Sequence, residues 1–257
     1  MKRSSITRIG LYLMLACSVV ATNATAEAPP AVQNPLPPGL KNAPPPRPLL
    51  PPPPFMAQQP PAIEKVSPGV FRIGDILINK MERSISFPAV VNMGKGLLEY
   101  LLVRNAGKTH ESLLRTTVEP YPLQVAFLLL GYEGTDKPLA YQGDPSTPKG
   151  DSVRILVTRV GADGKAAADD YERWICKKID KKTCEISTLS WIYTGSVVGN
   201  GKFLAQMEGS IIALYHDPIA LIDNASAGGE SDKIWFVKED TVPPVGSAVT
   251  VTILPKH

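Results

Sequence analysis

Between Val70 and Leu254 the apolar residues gather in short stretches, rich in β-branched and aromatic side chains and separated by Gly, Pro, Asn and Asp. Such a period belongs to strands and not to long helices. It predicts strands over Val70 to Ile78, Ser84 to Asn92, Leu97 to Asn105, Ser112 to Val118, Val153 to Val160 and Tyr171 to Lys177. Further strands are predicted over Leu189 to Gly195, Lys202 to Gln206, Ser210 to His216, Ile234 to Val237 and Ala248 to Leu254. Asp163-Gly164 and Asn200-Gly201 are dipeptides that accept positive φ in tight hairpins, so consecutive antiparallel pairing is the expected topology.

One stretch departs from this period. Pro122 can open a helix, Leu123 to Leu130 is apolar nearly all round, and Gly131 stops it. A helix of that kind is expected to be buried on most sides, with a buried strand as the competing reading. The fold class is therefore α+β: mostly antiparallel β-sheet, sandwich- or barrel-like, with one short buried helix.

The N-terminal residues follow a different logic. Lys2, Arg3 and Arg8 precede an apolar stretch, Ile9 to Ala21, that is too short to span a bilayer, and Ala24-Thr25-Ala26 has the small-x-small form of a cleavage site. Residues 1–26 are expected to be a signal peptide, with the mature chain beginning at Glu27 and exported to the periplasm or cell surface. Lipid attachment at Cys17 is the alternative, against which Met14 and Leu15 fit poorly. From Ala28 to Pro61 the chain places 15 of its 26 prolines. Residues 27–62 read as a disordered linker of polyproline II character, and residues 63–257 as one globular domain large enough to bury a core.

Cleavage changes the charge. The whole chain has 27 Lys and Arg against 24 Asp and Glu; losing three basic residues leaves the two signs equal. A neutral mature chain supplies no electrostatic reason for nucleic acid as a partner. Cleavage also leaves Cys176 and Cys184 as the remaining thiols, and in an oxidising compartment they are read as a structural disulfide. A redox pair or metal site is the other reading, but the spacing is not Cys-x-x-Cys and no second pair completes a zinc set.

Phe87-Pro88-Ala89, Leu98 to Val103, Gly107-Lys108-Thr109-His110-Glu111-Ser112 and the apolar helix after them resemble the YdjY-like domain of bacterial envelope proteins. Gly209 to Leu214, Asp217-Pro218, Ala220 to Asp223 and Pro243-Pro244-Val245-Gly246 resemble its C-terminal part. The resemblance covers roughly residues 70 to 254. It implies export and one domain, and it supplies no catalytic residues. The iron–sulfur chemistry suggested for some members would need cysteines that this chain lacks.

Candidate chemistry is sparse. His110 with Glu111 could offer a base or a metal ligand, although adjacent strand residues point to opposite faces unless the backbone bends there. His216, followed by Asp217 and Pro218, is the second candidate; with His110, Glu111 and Asp223 it would make a nitrogen and oxygen set suited to a divalent metal. The bland readings are a structural histidine and a turn aspartate. Ser226 lacks the glycine context of a nucleophile elbow and reads as loop. Lys177, Lys178, Lys181 and Lys182, flanked by Trp174 and Trp191, could bind an anionic polymer or glycan, or could simply be a solvated hairpin tip; Trp235 is expected in the core. No cofactor is predicted. The expectation is a non-enzymatic binding or assembly module, its partner an envelope protein or glycan, with a metal-dependent or acid/base enzyme using His110 and His216 as the alternative.

Overall fold

The computed structural model describes residues 60–160, 166–180, 182–186 and 188–256. The chain divides into Met1–Pro53 and Pro54–His257, and every described residue belongs to the second unit. The signal peptide, Cys17, nearly all of the proline-rich linker, Asp163-Gly164 and Lys181 lie outside the described residues.

Three short strands, β1 (Glu64–Ser67), β2 (Val70–Ile73) and β3 (Ile76–Asn79), meander into β4 (Ser84–Val91). β5 (Tyr100–Arg104), a 3-10 turn at Thr109–Glu111, β6 (Ser112–Thr116) and helix α1 (Pro120–Leu129) complete the first half. Next come β7 (Asp151–Val160), β8 (Ala166–Asp169), a 3-10 turn at Tyr171–Trp174, β9 (Ile175–Ile179), β10 (Lys182–Glu185) and β11 (Trp191–Tyr193). The chain ends with β12 (Val198–Gly199), β13 (Lys202–Phe203), α2 (Leu204–Glu208), β14 (Ser210–Ala213), β15 (Ile222–Asn224), β16 (Trp235–Val237) and β17 (Ala248–Pro255).

Eight strands close on themselves in the order β4-β17-β7-β11-β15-β14-β5-β6, with β6 returning to β4. Closure removes open edges. Alternation supplies the core: Phe87, Val251 and Val157 form one buried rung across three strands, and Ile85, Ile253 and Ile155 the next. β4 takes part twice on one edge, its first residues pairing with β3 and Val90 and Val91 with β6. Val91 donates its N–H to Ser247 on the β17 side, so by alternation Pro88 turns its main chain to the other edge, between β3 and β6. The N–H that proline lacks is missed by no strand there.

The mostly antiparallel, barrel-like expectation holds, but two pairs are parallel, β5 with β6 and β14 with β15. Asn200 and Gly201 take φ of 50° and 71° in the two-residue turn joining β12 to β13, as their sequence predicts. Gly74, at φ 53°, splits the first predicted strand into the β2–β3 hairpin. Two predicted strands begin or end as helix: Tyr171–Trp174 is a 3-10 turn, and Leu204–Glu208 is α2.

The predicted helix exists. It starts earlier than expected, with Pro120 at its first turn, and Gly131 with φ 70° follows its end. Leu123, Ala126 and Phe127 are buried, and the Phe127 ring stacks on Tyr193 with centroids 4.3 Å apart. Burial on most sides is not what forms: Leu128 and Leu129 are 59% and 40% exposed. Only the face carrying Leu123, Ala126 and Phe127 meets the core, and Leu128 and Leu129 turn away from it.

Candidate cleft beside strand 7

The clearest concavity with polar chemistry is a cleft of about 450 Å³ whose lining includes Val153 to Leu156, Asp170 to Glu172, Leu189, Trp191 and Lys256. One wall is the outer face of β7 and the end of β17. Arg154 lies across from Leu254, and Lys256 is two residues further on the same strand, so both cations share that face. Val153 and Ile155 point the other way, into the core.

The 3-10 turn also lines the cleft, with Asp170 at its N-cap position. Tyr171 and Trp191 are both buried, and buried phenols and indoles need partners. Trp191 Nε1 donates to the Tyr171 hydroxyl at 2.9 Å. Burial pushes the Glu172 carboxyl above the usual carboxylate range, and the Asp170 charge pushes the same way. The N–H groups of Glu172 itself and Leu189 and the Tyr171 hydroxyl oppose the shift. The cleft thus presents a half-buried acid beside a buried tyrosine–tryptophan pair, a second acid two residues from it in the chain, and two cations in the same lining. Sequence reading missed it because Tyr171 to Lys177 reads as one strand; the buried tyrosine and tryptophan, each needing a polar partner, were the available signal.

The residues singled out by sequence fall elsewhere. His110 lies in the 3-10 turn, its side chain 79% exposed, with Nε2 3.4 Å from Glu111 Oε2; the backbone bends there, which is what lets neighbours meet. His216 is buried. Its Nδ1 lies 2.7 Å from the Asp144 carbonyl and its Nε2 2.7 Å from that of Asn224, so neither nitrogen is open to a metal. It clasps two loops, and a side chain at Gly229 would strike it, a Cβ there lying 2.2 Å from Nε2. Asp217 is the turn residue of the bland reading: Oδ1 accepts from Ile219 N–H at 2.9 Å and Oδ2 from the Tyr100 hydroxyl at 2.7 Å. Among the described residues no three His, Cys, Asp or Glu side chains stand together as a cage.

Tyr100 is itself the centre of a network, accepting from Lys108 Nζ at 2.7 Å. Burial and the Asp217 carboxylate push its phenol up. It is fully enclosed, which makes it a strut between the crossover after β5 and the one after β14. Asp223 is buried and accepts from the N–H of Asp217 and of Asn224, and burial drives its carboxyl well above the usual range. Ser226 Oγ accepts from Ser190 N–H at 2.8 Å, a loop contact as expected.

The lysine hairpin also differs from expectation. Lys177 Nζ donates to the Ala227 carbonyl and lies 4.5 Å from the Trp235 ring centroid, while Lys178 lies 4.5 Å from that of Phe236. Trp174 and Trp191 are both buried and do not flank these lysines as a platform; Lys182 is exposed on β10. Cys176 and Cys184 are free thiols, the first buried and the second exposed. In the β9–β10 ladder Cys176 faces Glu185, and Cys184 faces Lys177. The two thiols therefore point to opposite faces of the hairpin, and the expected disulfide is absent for that reason.

A sequence model of the YdjY domain matches residues 76–254, and the chain belongs to that family. No curated protein and no solved structure matches the chain. Among the described residues no helix is long and apolar enough to cross a membrane.

Proposed function

We propose that this chain is an exported, non-enzymatic binding module of the bacterial envelope, set at a distance by its proline-rich spacer and taking its ligand in the cleft beside β7. The observation that carries this reading is the convergence, in one cleft of about 450 Å³, of both signs of charge, a half-buried carboxylate and a buried aromatic pair. Ligand sites are commonly concave, of this size, and mainly apolar with a few fixed polar groups. Export rests on the signal-like first residues, and the partner class on the envelope setting that these imply. The enzyme alternative needs His110 with Glu111, His216 or Asp217 to converge in a pocket, and the binding reading is preferred because His216 is buried with both ring nitrogens 2.7 Å from main-chain carbonyls.

The test is thermal unfolding of the purified chain with and without a low-molecular-mass extract of the envelope. A ligand at about a hundred times its Kd stabilises the folded state by about 2.7 kcal/mol. Glu172→Gln and Arg154→Ala are expected to abolish that gain. An equal gain in both variants rejects the cleft, and recovery of the protein with residues 1–26 still attached rejects the processed, exported form.

A further inference from the structure

The two edges of β7 are not equally covered. On one, β17 pairs continuously from Val153, opposite Pro255, to Thr158, opposite Thr250. On the other, β11 covers Asp151 to Val153 and β8 covers Val157 to Val160, and among the described residues no strand lies along residues 154–156. The Ser152 carbonyl accepts from Lys256 N–H, so Ser152 turns its main chain toward β17. Main-chain direction alternates along an antiparallel strand. Val153 therefore faces β11, Val157 faces β8, and Ile155 between them directs both its N–H and its carbonyl into the gap. The gap opens into the cleft, whose lining runs along Val153, Arg154, Ile155 and Leu156.

We propose that the cleft captures a short extended peptide, which enters the ladder gap as an inserted strand and pairs its main chain with Ile155. This rests on the binding-module reading and names the ligand for that site. At about 3.3 Å per residue, the interval from Val153 to Val157 is roughly 13 Å, room for three residues between the ends of β11 and β8. Main-chain pairing gives such a ligand affinity without demanding a sequence, as in other strand-addition complexes. Charge supplies the orientation: the ligand's amino group faces Asp170 and Glu172, and its carboxylate faces Arg154 and Lys256. Of the four charges Glu172 is the half-buried one, and the buried Leu189 and Trp191 line the same cleft, so its carboxylate is the contact for which water competes least.

The experiment is a titration of the isotope-labelled full chain with trialanine, followed by backbone amide resonances. Binding is expected to shift the Ile155 amide and slow its exchange with solvent. Trialanine methylated on the nitrogen of its central residue loses a donor without altering charge, and it is expected to bind about tenfold more weakly. Glu172→Gln weakens the unmodified peptide by a similar factor. Equal binding of the methylated and unmodified peptides overturns the strand pairing, and so does an unmoved Ile155 amide at roughly 10 mM peptide. If trialanine fails while envelope extract still stabilises the chain in a Glu172-dependent way, the peptide is rejected and the binding module stands. If no extract stabilises the chain, both fall.

Discussion

Moving one thiol by one position should decide whether the β9–β10 register is as described. In that ladder Glu185 lies opposite Cys176. Lys178 donates to the Ile234 carbonyl, so even-numbered residues of β9 direct their main chain to β16. The Cys176–Glu185 position is therefore a non-hydrogen-bonded pair on the β10 side, the closer kind, with Cα atoms near 4.5 Å apart. Two cysteines there come within the reach that a disulfide needs. The variant Cys184→Ser with Glu185→Cys is thus expected to form a bond to Cys176 on mild oxidation. The substitution gives up the exposed Glu185–Lys238 ion pair, a small loss in water. Closing the loop from 176 to 185 adds about 2 to 3 kcal/mol in the chain-entropy treatment, which moves the urea midpoint by roughly 1 M. The native pair, with Cys184 on the far face, is expected to resist the same oxidant unless β10 slips by one residue. Oxidation is read as a 2 Da mass loss and stability by urea titration. A native chain that oxidises as fast as the variant and gains as much stability would refute the register argument.

Three further outcomes follow from buried polar groups. Folded Asp223 holds its proton to higher pH than the unfolded chain does, so its contribution is whole below the ordinary value of 3.8 and is lost as pH rises toward the folded value. Stability of the native chain should fall in that range by up to about 1.4 kcal/mol per pH unit, and Asp223→Asn should flatten the slope in urea titrations taken at successive pH values. Tyr171→Phe leaves the Trp191 indole N–H without its acceptor and should cost about 1 to 3 kcal/mol by chemical denaturation. His216→Ala strips the Asp144 and Asn224 carbonyls of their partner and should cost about 2 to 4 kcal/mol, with amide exchange quickening first in the loops around those residues; an unchanged midpoint would contradict the clasp.

Much of the fold was legible because it rests on local rules. The alternation in Ser84 to Asn92 and Ala248 to Leu254 placed strands that become β4 and β17, and the Asn200-Gly201 turn sits where its dihedral preference put it. Parallel pairing was not legible. β5 and β6 run side by side through a short crossover that carries only a single 3-10 turn, so nothing in the spacing from Arg104 to Ser112 distinguishes it from a hairpin. Burial of α1 was overstated because an apolar sequence says that a helix tolerates burial, not that enough barrel surface exists to cover Leu128 and Leu129. The cysteines erred for a related reason. Proximity along a hairpin is readable from sequence, whereas the face on which each thiol lies depends on a register that a single residue of turn length reverses.

The cleft was illegible for a deeper reason. Its chemistry is not a motif but a vacancy between two pairings: β7 is a continuous strand whose one edge is shared by β11, which arrives after thirty intervening residues, and β8, the next strand in the chain, which pairs with it antiparallel. Neither partner is long enough to reach the other, because β11 ends its pairing at Val153 and β8 at Val157. The four charges around the gap then come from β7, the turn at Tyr171–Trp174 and the residue after Pro255. None is near another of opposite sign in sequence. A reader of the chain sees Asp170 and Glu172 as solvated turn residues and Arg154 and Lys256 as polar strand positions, which is what each is locally. They become one site only when closure of the barrel brings the end of β17 beside β7. This is also why the peptide proposal is best tested from the ligand's side: the feature it depends on is the main chain of Ile155, and a side-chain substitution there would disturb a buried rung of the barrel while leaving the pairing groups in place.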